Sequence, residues 1–279
     1  MIISIASGKG GTGKTTVAVN LALSLENSQL FDCDVEEPNA DIFLKPTFSK
    51  TIDVKVMNPV INEEKCTHCG LCADVCEYNA LAVTEQKVLF FKELCMSCGA
   101  CYELCPVNAI SEKMVSIGEV NIGQTKDGMK VVNGSLTIGF PRAIPIIEKV
   151  KEQIELDKIA ILDAPPGNSC PVIETISNSD YCVLVTEPTP FGLYDVRIAV
   201  EVCRELKIPF GIIINRYGMG NDTSVEKYCE EENIDILLKI PFKREIAEAY
   251  SKGITLVEMD AKWKKQFREL YQQIKKEVE

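Results

Sequence analysis

MIISIASGKGGTGKTT, residues 1–16, decides the fold. Ile2 to Ala6 is an apolar run of strand length, and TTVAVNLALSL (15–25) repeats its apolar residues at helical spacing. The glycine-rich stretch between them makes the order strand, loop, helix. Gly8, Gly13, Lys14 and Thr15 satisfy G-x-x-x-x-G-K-[ST]. In such a loop the amides of Gly10, Gly11, Thr12 and Gly13, with the first helical residues Thr15 and Thr16, face phosphate oxygens at a helix N-terminus. Lys14 is expected to reach the β and γ phosphates, and the Thr15 hydroxyl to bind Mg2+.

The chain has 279 residues, 46% of them hydrophobic, which is enough for one large α/β domain and a smaller one. No apolar run reaches the roughly 18 residues that span a bilayer, and Met1 to Ser7 lacks the basic start of a secretion signal. The expected location is the cytoplasm. Thirteen cysteines in a reducing compartment read as metal or redox ligands where they cluster, rather than as disulfides. A formal charge of −11 argues against broad nucleic-acid binding.

Eight of the cysteines form an internal repeat. Cys66, Cys69, Cys72 and Cys76 are spaced two, two and three residues apart, and Cys95, Cys98, Cys101 and Cys105 repeat the pattern. In this arrangement three successive thiolates bind one cubane and the fourth binds the other. The expected ligand sets are therefore Cys66, Cys69, Cys72 and Cys105 for one [4Fe–4S] cluster, and Cys95, Cys98, Cys101 and Cys76 for the second. Gly70 and Gly99 suit the tight loops, and Pro106 completes the second copy, where the first has Glu77. Zinc could also use eight cysteines, but this doubled order is not a zinc pattern. His68, the single histidine, is expected at the surface. LAVTEQKVLFF (81–91) alternates like a short strand pair. The segment closely resembles bacterial-type ferredoxins with two [4Fe–4S] clusters, which implies low-potential electron transfer.

KGGTGKT (9–15) has a lysine at each end. It resembles the deviant phosphate loop of the MinD/ParA/Mrp family, to which the nitrogenase iron protein belongs. The resemblance implies that Lys9 reaches the partner's phosphates in an ATP-dependent homodimer. LFDCDVEEPN (30–39) is similar to that family's first switch, which implies that Asp34 orients the attacking water and that Asp32 lies near the metal. IAILDAPPGNSCPV (159–172) is similar to the second switch, with Asp163 on Mg2+ through water and Gly167 beside the γ-phosphate. FGIIINR (210–216) ends in Asn215, which matches the family's adenine-reading asparagine.

The strand–helix alternation breaks near Met57 and resumes after the cysteine repeat. The expectation is a discontinuous ATPase domain, 1–57 and 114–279, with a ferredoxin domain, 58–113, inserted into it. The fold class is thus α/β: a mostly parallel sheet with helices on both faces, plus a small α+β insertion. The insertion carries eight acids against four lysines, a surface suited to a basic redox partner.

Cys33, Cys182, Cys203 and Cys229 are expected as small core residues, while Cys170, following the second switch, is a candidate thiolate. WKKQFRELYQQIKKEVE (263–279) places Trp263, Phe267, Leu270 and Ile274 on one helical face. That face is expected to dock on the core rather than on a membrane, the use made of a terminal helix in MinD. Three functions remain open: an ATP-gated electron carrier, an ATPase that assembles or delivers metal clusters, and a surface-positioning ATPase. The complete ligand sets favour the first. The lack of a C-x-x-C pair near the C-terminus, where Mrp-type carriers hold a bridging cluster, weakens the second.

Overall fold

The computed structural model describes residues 1–220 and 222–279. Its elements, in chain order, are β1 (Ile2–Ala6), α1 (Lys14–Ser24), β2 (Ser28–Asp32), α2 (Ala40–Leu44), β3 (Thr47–Ile61), α3 (Leu71–Asp74), β4 (Leu81–Val83), β5 (Val88–Phe90), α4 (Ala100–Glu103), β6 (Ile110–Gln124), β7 (Lys130–Leu136), α5 (Ile144–Lys151), β8 (Ile159–Asp163), α6 (Cys170–Ile176), β9 (Tyr181–Thr186), α7 (Pro190–Glu205), β10 (Phe210–Tyr217), α8 (Ser224–Glu231), β11 (Ile236–Pro241), α9 (Arg244–Ser251), α10 (Leu256–Met259) and α11 (Ala261–Val278). Among the described residues nine strands form one sheet in the order β11-β10-β9-β1-β8-β2-β7-β6-β3. It is parallel from β11 to β7 and ends in the antiparallel strands β6 and β3.

Central strands covered on both sides must be apolar on both sides. In β1, Ile3 and Ile5 face the layer that contains α1 and α11, while Ala6 joins the layer of α6, α7 and α8. Helices thus cover both faces, as the sequence leads one to expect. The apolar face of α11 is used within the chain: Trp263, Phe267, Leu270 and Ile274 are all buried against Val17, Leu21 and their neighbours. Among the described residues no helix is long and apolar enough to cross a membrane.

The cysteine segment sits at the end of a long ribbon. β3 and β6 pair from Thr47↔Gln124 to Ile61↔Ile110, and just beyond, the Asn62 N–H donates to the Ala109 carbonyl (2.7 Å). Residues 62–109 form a lobe at this tip, with α3, α4 and the hairpin β4–β5, where Leu81 pairs with Phe90. The positions 57/58 and 113/114 lie inside the ribbon, where Met57 pairs with Met114, so the backbone ladder runs on across them.

Candidate functional site

Parallel pairing gathers the loops that leave β1, β8 and β2 at one sheet edge, the usual place for a ligand in an open α/β sheet. Asp163 at the end of β8 pairs with both Ile5 and Asp32 in register. The loop after β1 turns into α1 through Gly13, whose φ is +98°. This left-handed conformation calls for glycine, and a Cβ there would also push aside the amide end of the Asn215 side chain. Asn215 Nδ2 donates to the Thr12 carbonyl (2.7 Å) and the Ser7 hydroxyl to the Lys9 carbonyl (2.6 Å), which fixes the loop from two sides. The loop opens on a cleft of about 480 Å3 lined by Gly10, Gly11, Gly13, Lys14, Thr15, Thr16, Asp34 and Asn215. Its far wall is Phe242, Lys243, Ile246 and Tyr250, from the loop after β11 and from α9. This volume lies within the range of small-molecule sites.

The floor of the cleft is electrostatically unfinished. Lys14 is buried, and burial lowers its proton affinity while Asp163, Asp34 and Asp32 oppose that effect. Asp32 accepts the backbone N–H groups of Asp34 (3.1 Å), Asn39 (2.9 Å) and Ala40 (2.9 Å), and so ties down the loop that carries Asp34. Even so, burial raises the Asp32 carboxyl to about 7, and burial raises Asp34 to about 6 against the pull of Lys14. Asp163 is 1% exposed, and both its carboxylate oxygens are buried without a hydrogen-bond partner. Burial, reinforced by Asp32, drives its proton affinity well up, with the Thr15 hydroxyl and Lys14 acting in the opposite direction. A carboxylate left bare in the interior is expensive unless a cation meets it. Thr15 and Asp163 therefore suit a hard divalent cation such as Mg2+.

Lys9 is held by an ion pair within its own chain. Its Nζ is 3.2 Å from Glu187 Oε2, a carboxylate 7% exposed. The other oxygen of Glu187 pairs with Arg216, whose Nη2 also donates to the Gly11 carbonyl (3.2 Å). Glu187 and Arg216 thus grip both the lysine and the loop, although neither is part of the motif. A clue was available: Glu187 directly follows β9 and Arg216 is the penultimate residue of β10, the carboxyl ends of parallel strands where ligand sites gather. Gly167 closes the far side of the loop by donating its N–H to the Ser7 carbonyl (3.1 Å).

In the lobe the eight cysteines come together in two groups. Cys66, Cys69, Cys72 and Cys105 line one small cavity with Pro106, Ile61 and Val83; Cys76, Cys95, Cys98 and Cys101 line another with Pro59 and Phe90. The two halves repeat their backbone contacts to sulfur. His68 and Ser97 N–H donate to Cys66 and Cys95 Sγ (3.4 Å each), and Ala80 and Ala109 N–H donate to Cys76 (3.3 Å) and Cys105 (3.2 Å). Four free thiols converging on each apolar cavity, with N–H donors aimed at sulfur, are a donor set that fits a [4Fe–4S] cluster. His68 is half-buried rather than fully exposed, with Nε2 3.1 Å from Glu63 Oε2. Glu63, Cys66 and His68 bring their ligand atoms within 4.8 Å of one another, but Cys66 already belongs to the first group. Cys33, Cys182, Cys203 and Cys229 are core residues, and Cys170 is exposed at the start of α6.

Residues 3–257 match the model of the CobQ/CobB/MinD/ParA nucleotide binding domain (CbiA). The chain belongs to this family. An uncharacterised protein of Methanocaldococcus jannaschii is 34% identical over 266 residues, covering 91% of this chain and 90% of its own length. An iron-sulfur cluster carrier protein of the same organism is 24% identical, covering 99% of this chain and 84% of the relative. Among solved structures, the septum site-determining protein MinD of Pyrococcus horikoshii, complexed with Mg-ADP, superimposes with a TM-score of 0.61 at 21% identity, covering 98% of this chain and 95% of that one. The CbiA-type chain therefore has a mostly parallel MinD-like sheet, and its phosphate loop is that of a nucleotide-binding domain.

Proposed function

We propose that this protein binds and hydrolyses ATP, and that a nucleotide-dependent homodimer couples hydrolysis to electron transfer through two [4Fe–4S] clusters. One observation carries the reading: two complete sets of four thiols, each around its own cavity, are joined by a backbone ladder to the sheet that holds the phosphate loop. Complete sets favour resident clusters over a bridging cluster in transit. In this reading 58–113 serves as an inserted ferredoxin domain, and 1–57 with 114–279 as the ATPase.

The phosphate loop amides and Lys14 hold the ATP phosphates, and Thr15 with Asp163 would hold Mg2+, which supplies charge neutralisation at the phosphates. Asp34, beside Lys14 in the cleft, orients the attacking water, for which its carboxylate must be ionised. Asn215, on the cleft wall, reads the adenine. Lys9 leaves Glu187 to reach the partner's phosphates. Cys66, Cys69, Cys72 and Cys105, and Cys76, Cys95, Cys98 and Cys101, would hold the two clusters, which supply one-electron storage.

Relatives named iron-sulfur cluster carriers favour a second reading, delivery of clusters to other proteins. One experiment separates the two. Anaerobically reconstituted protein should hold about eight iron and eight sulfide per chain, and Mg-ATP should change a cluster potential or the rate of electron transfer to an acceptor. Unchanged potentials and rates, with ATP-dependent loss of iron to an apoprotein, would establish delivery instead.

A further inference from the structure

Arg142 lies in the loop between β7 and α5, on the ATPase side of the ribbon, yet this loop packs against the lobe. Two residues earlier, Phe140 lies under Lys92, which precedes the second cysteine group; the ammonium is 5.7 Å from the ring centroid. Arg142 itself is 8% exposed, and its Nη1 is buried with no hydrogen-bond partner. Burial lowers its proton affinity, and Cys95 and Cys98 would oppose that effect only as thiolates. Among the described residues no ion pair accounts for this guanidinium. A buried cation without a counter-charge is among the costliest arrangements in a protein, and a guanidinium cannot escape by losing its proton. Neutral thiols do not balance it, whereas four thiolates around an iron–sulfur core do, because the assembly is anionic and gains one more negative charge on one-electron reduction.

We propose that Arg142 is the charge-compensating residue of the second cysteine group, and that it raises the reduction potential of the cluster held by Cys76, Cys95, Cys98 and Cys101. The inference rests on the reading that this group holds a [4Fe–4S] cluster. Its physical basis is that a fixed positive charge in a water-poor site stabilises the reduced, more negative state more than the oxidised one. Glu112, whose Oε1 lies 3.8 Å from the Cβ position of Gly99 beside the same cavity, acts in the opposite sense. It is less buried than Arg142, so water screens it more.

The test uses the full chain, reconstituted anaerobically with iron and sulfide and titrated with dithionite under electron paramagnetic resonance. Arg142→Gln and Arg142→Lys are compared with the native chain, and Cys98→Ser identifies the signal of the second group. Arg142→Gln should keep its iron but lower one midpoint so that the reduction equilibrium falls about tenfold, about 59 mV for a one-electron couple. The shifted signal should be the one that Cys98→Ser alters, and Arg142→Lys should hold that midpoint near its native value. Two unchanged midpoints, or a shift confined to the other signal, would overturn the proposal. If Arg142→Gln loses half of its iron, retention by Arg142→Lys supports the charge role, and loss by both variants makes Arg142 a packing residue and overturns it. A native chain that binds no iron overturns the cluster reading itself, a separately visible result.

Discussion

Glu187→Gln should make the isolated chain less stable and its ATP-dependent dimer tighter. The carboxylate is 7% exposed and bridges Lys9 and Arg216, whose side chains are 32% and 45% exposed. Water screens both cations, so each pair is worth about 0.5–1 kcal/mol rather than the larger value of a fully buried one. Glutamine keeps the shape and one acceptor, so the loss is about 1–2 kcal/mol. For a chain of this size that lowers the melting temperature by about 2–8 °C. The same change frees Lys9. If the lysine must abandon Glu187 to reach a partner's phosphates, the native dimer gives up about 0.5 kcal/mol per protomer. Removing that expense from two protomers, about 1 kcal/mol, strengthens association about fivefold. Thermal unfolding without nucleotide gives the first quantity, and sedimentation velocity with Mg2+ and a non-hydrolysable ATP analogue gives the second. Lys9→Ala serves as the control that abolishes dimerisation. A Glu187→Gln chain that is less stable but dimerises no more tightly would refute the idea that this ion pair restrains Lys9.

The raised carboxyls predict an unusual pH dependence for nucleotide-free protein. Burial holds Asp34 near 6 and Asp32 near 7, above their values in the unfolded chain. The folded state therefore binds more protons, and the stability these groups contribute is complete below the ordinary carboxylate range and is lost as pH rises through about 6 and 7. Measured as melting temperature without Mg2+, the native chain's standing relative to Asp34→Asn should decline from about pH 5 to about pH 7.5, and a pH-independent difference would contradict the raised value. Phe267→Ala should cost about 3–5 kcal/mol, since the ring is 0% exposed between α1 and the sheet. Denaturant unfolding that shows less than about 1 kcal/mol would mean that α11 is not part of the core.

Sequence alone determined what local chemistry specifies. A strand, a glycine-rich loop and a helix in immediate succession form a phosphate-binding turn, and the G-x-x-x-x-G-K-[ST] order selects its kind, so Gly13, Lys14 and Thr15 were legible from their order. The cysteine spacing likewise implied the crossed grouping that puts Cys105 with Cys66 and Cys76 with Cys95, because three thiols spaced two residues apart leave the fourth facing away. The amphipathic period of 263–279 also showed which face α11 buries. Tertiary structure decided everything that depends on residues distant in the chain. Glu187 and Arg216 reach Lys9 and Gly11 only because β9 lies beside β1 and β10 beside β9 in a parallel sheet, an order that periodicity does not encode. The bare carboxylate of Asp163 is a property of burial, invisible in a residue's name. Arg142 illustrates this most clearly. In sequence it is an arginine in a loop, 37 residues beyond Cys105; in space it is a buried cation in a loop packed against Lys92, just before the second cysteine group. The loop that carries it follows Leu136, the last residue of β7, whose N–H donates to the Val35 carbonyl (2.7 Å), one residue past Asp34. That hydrogen bond ties the end of β7 to the segment after β2, a pairing of residues far apart in the chain that only the fold's closure of long loops brings about.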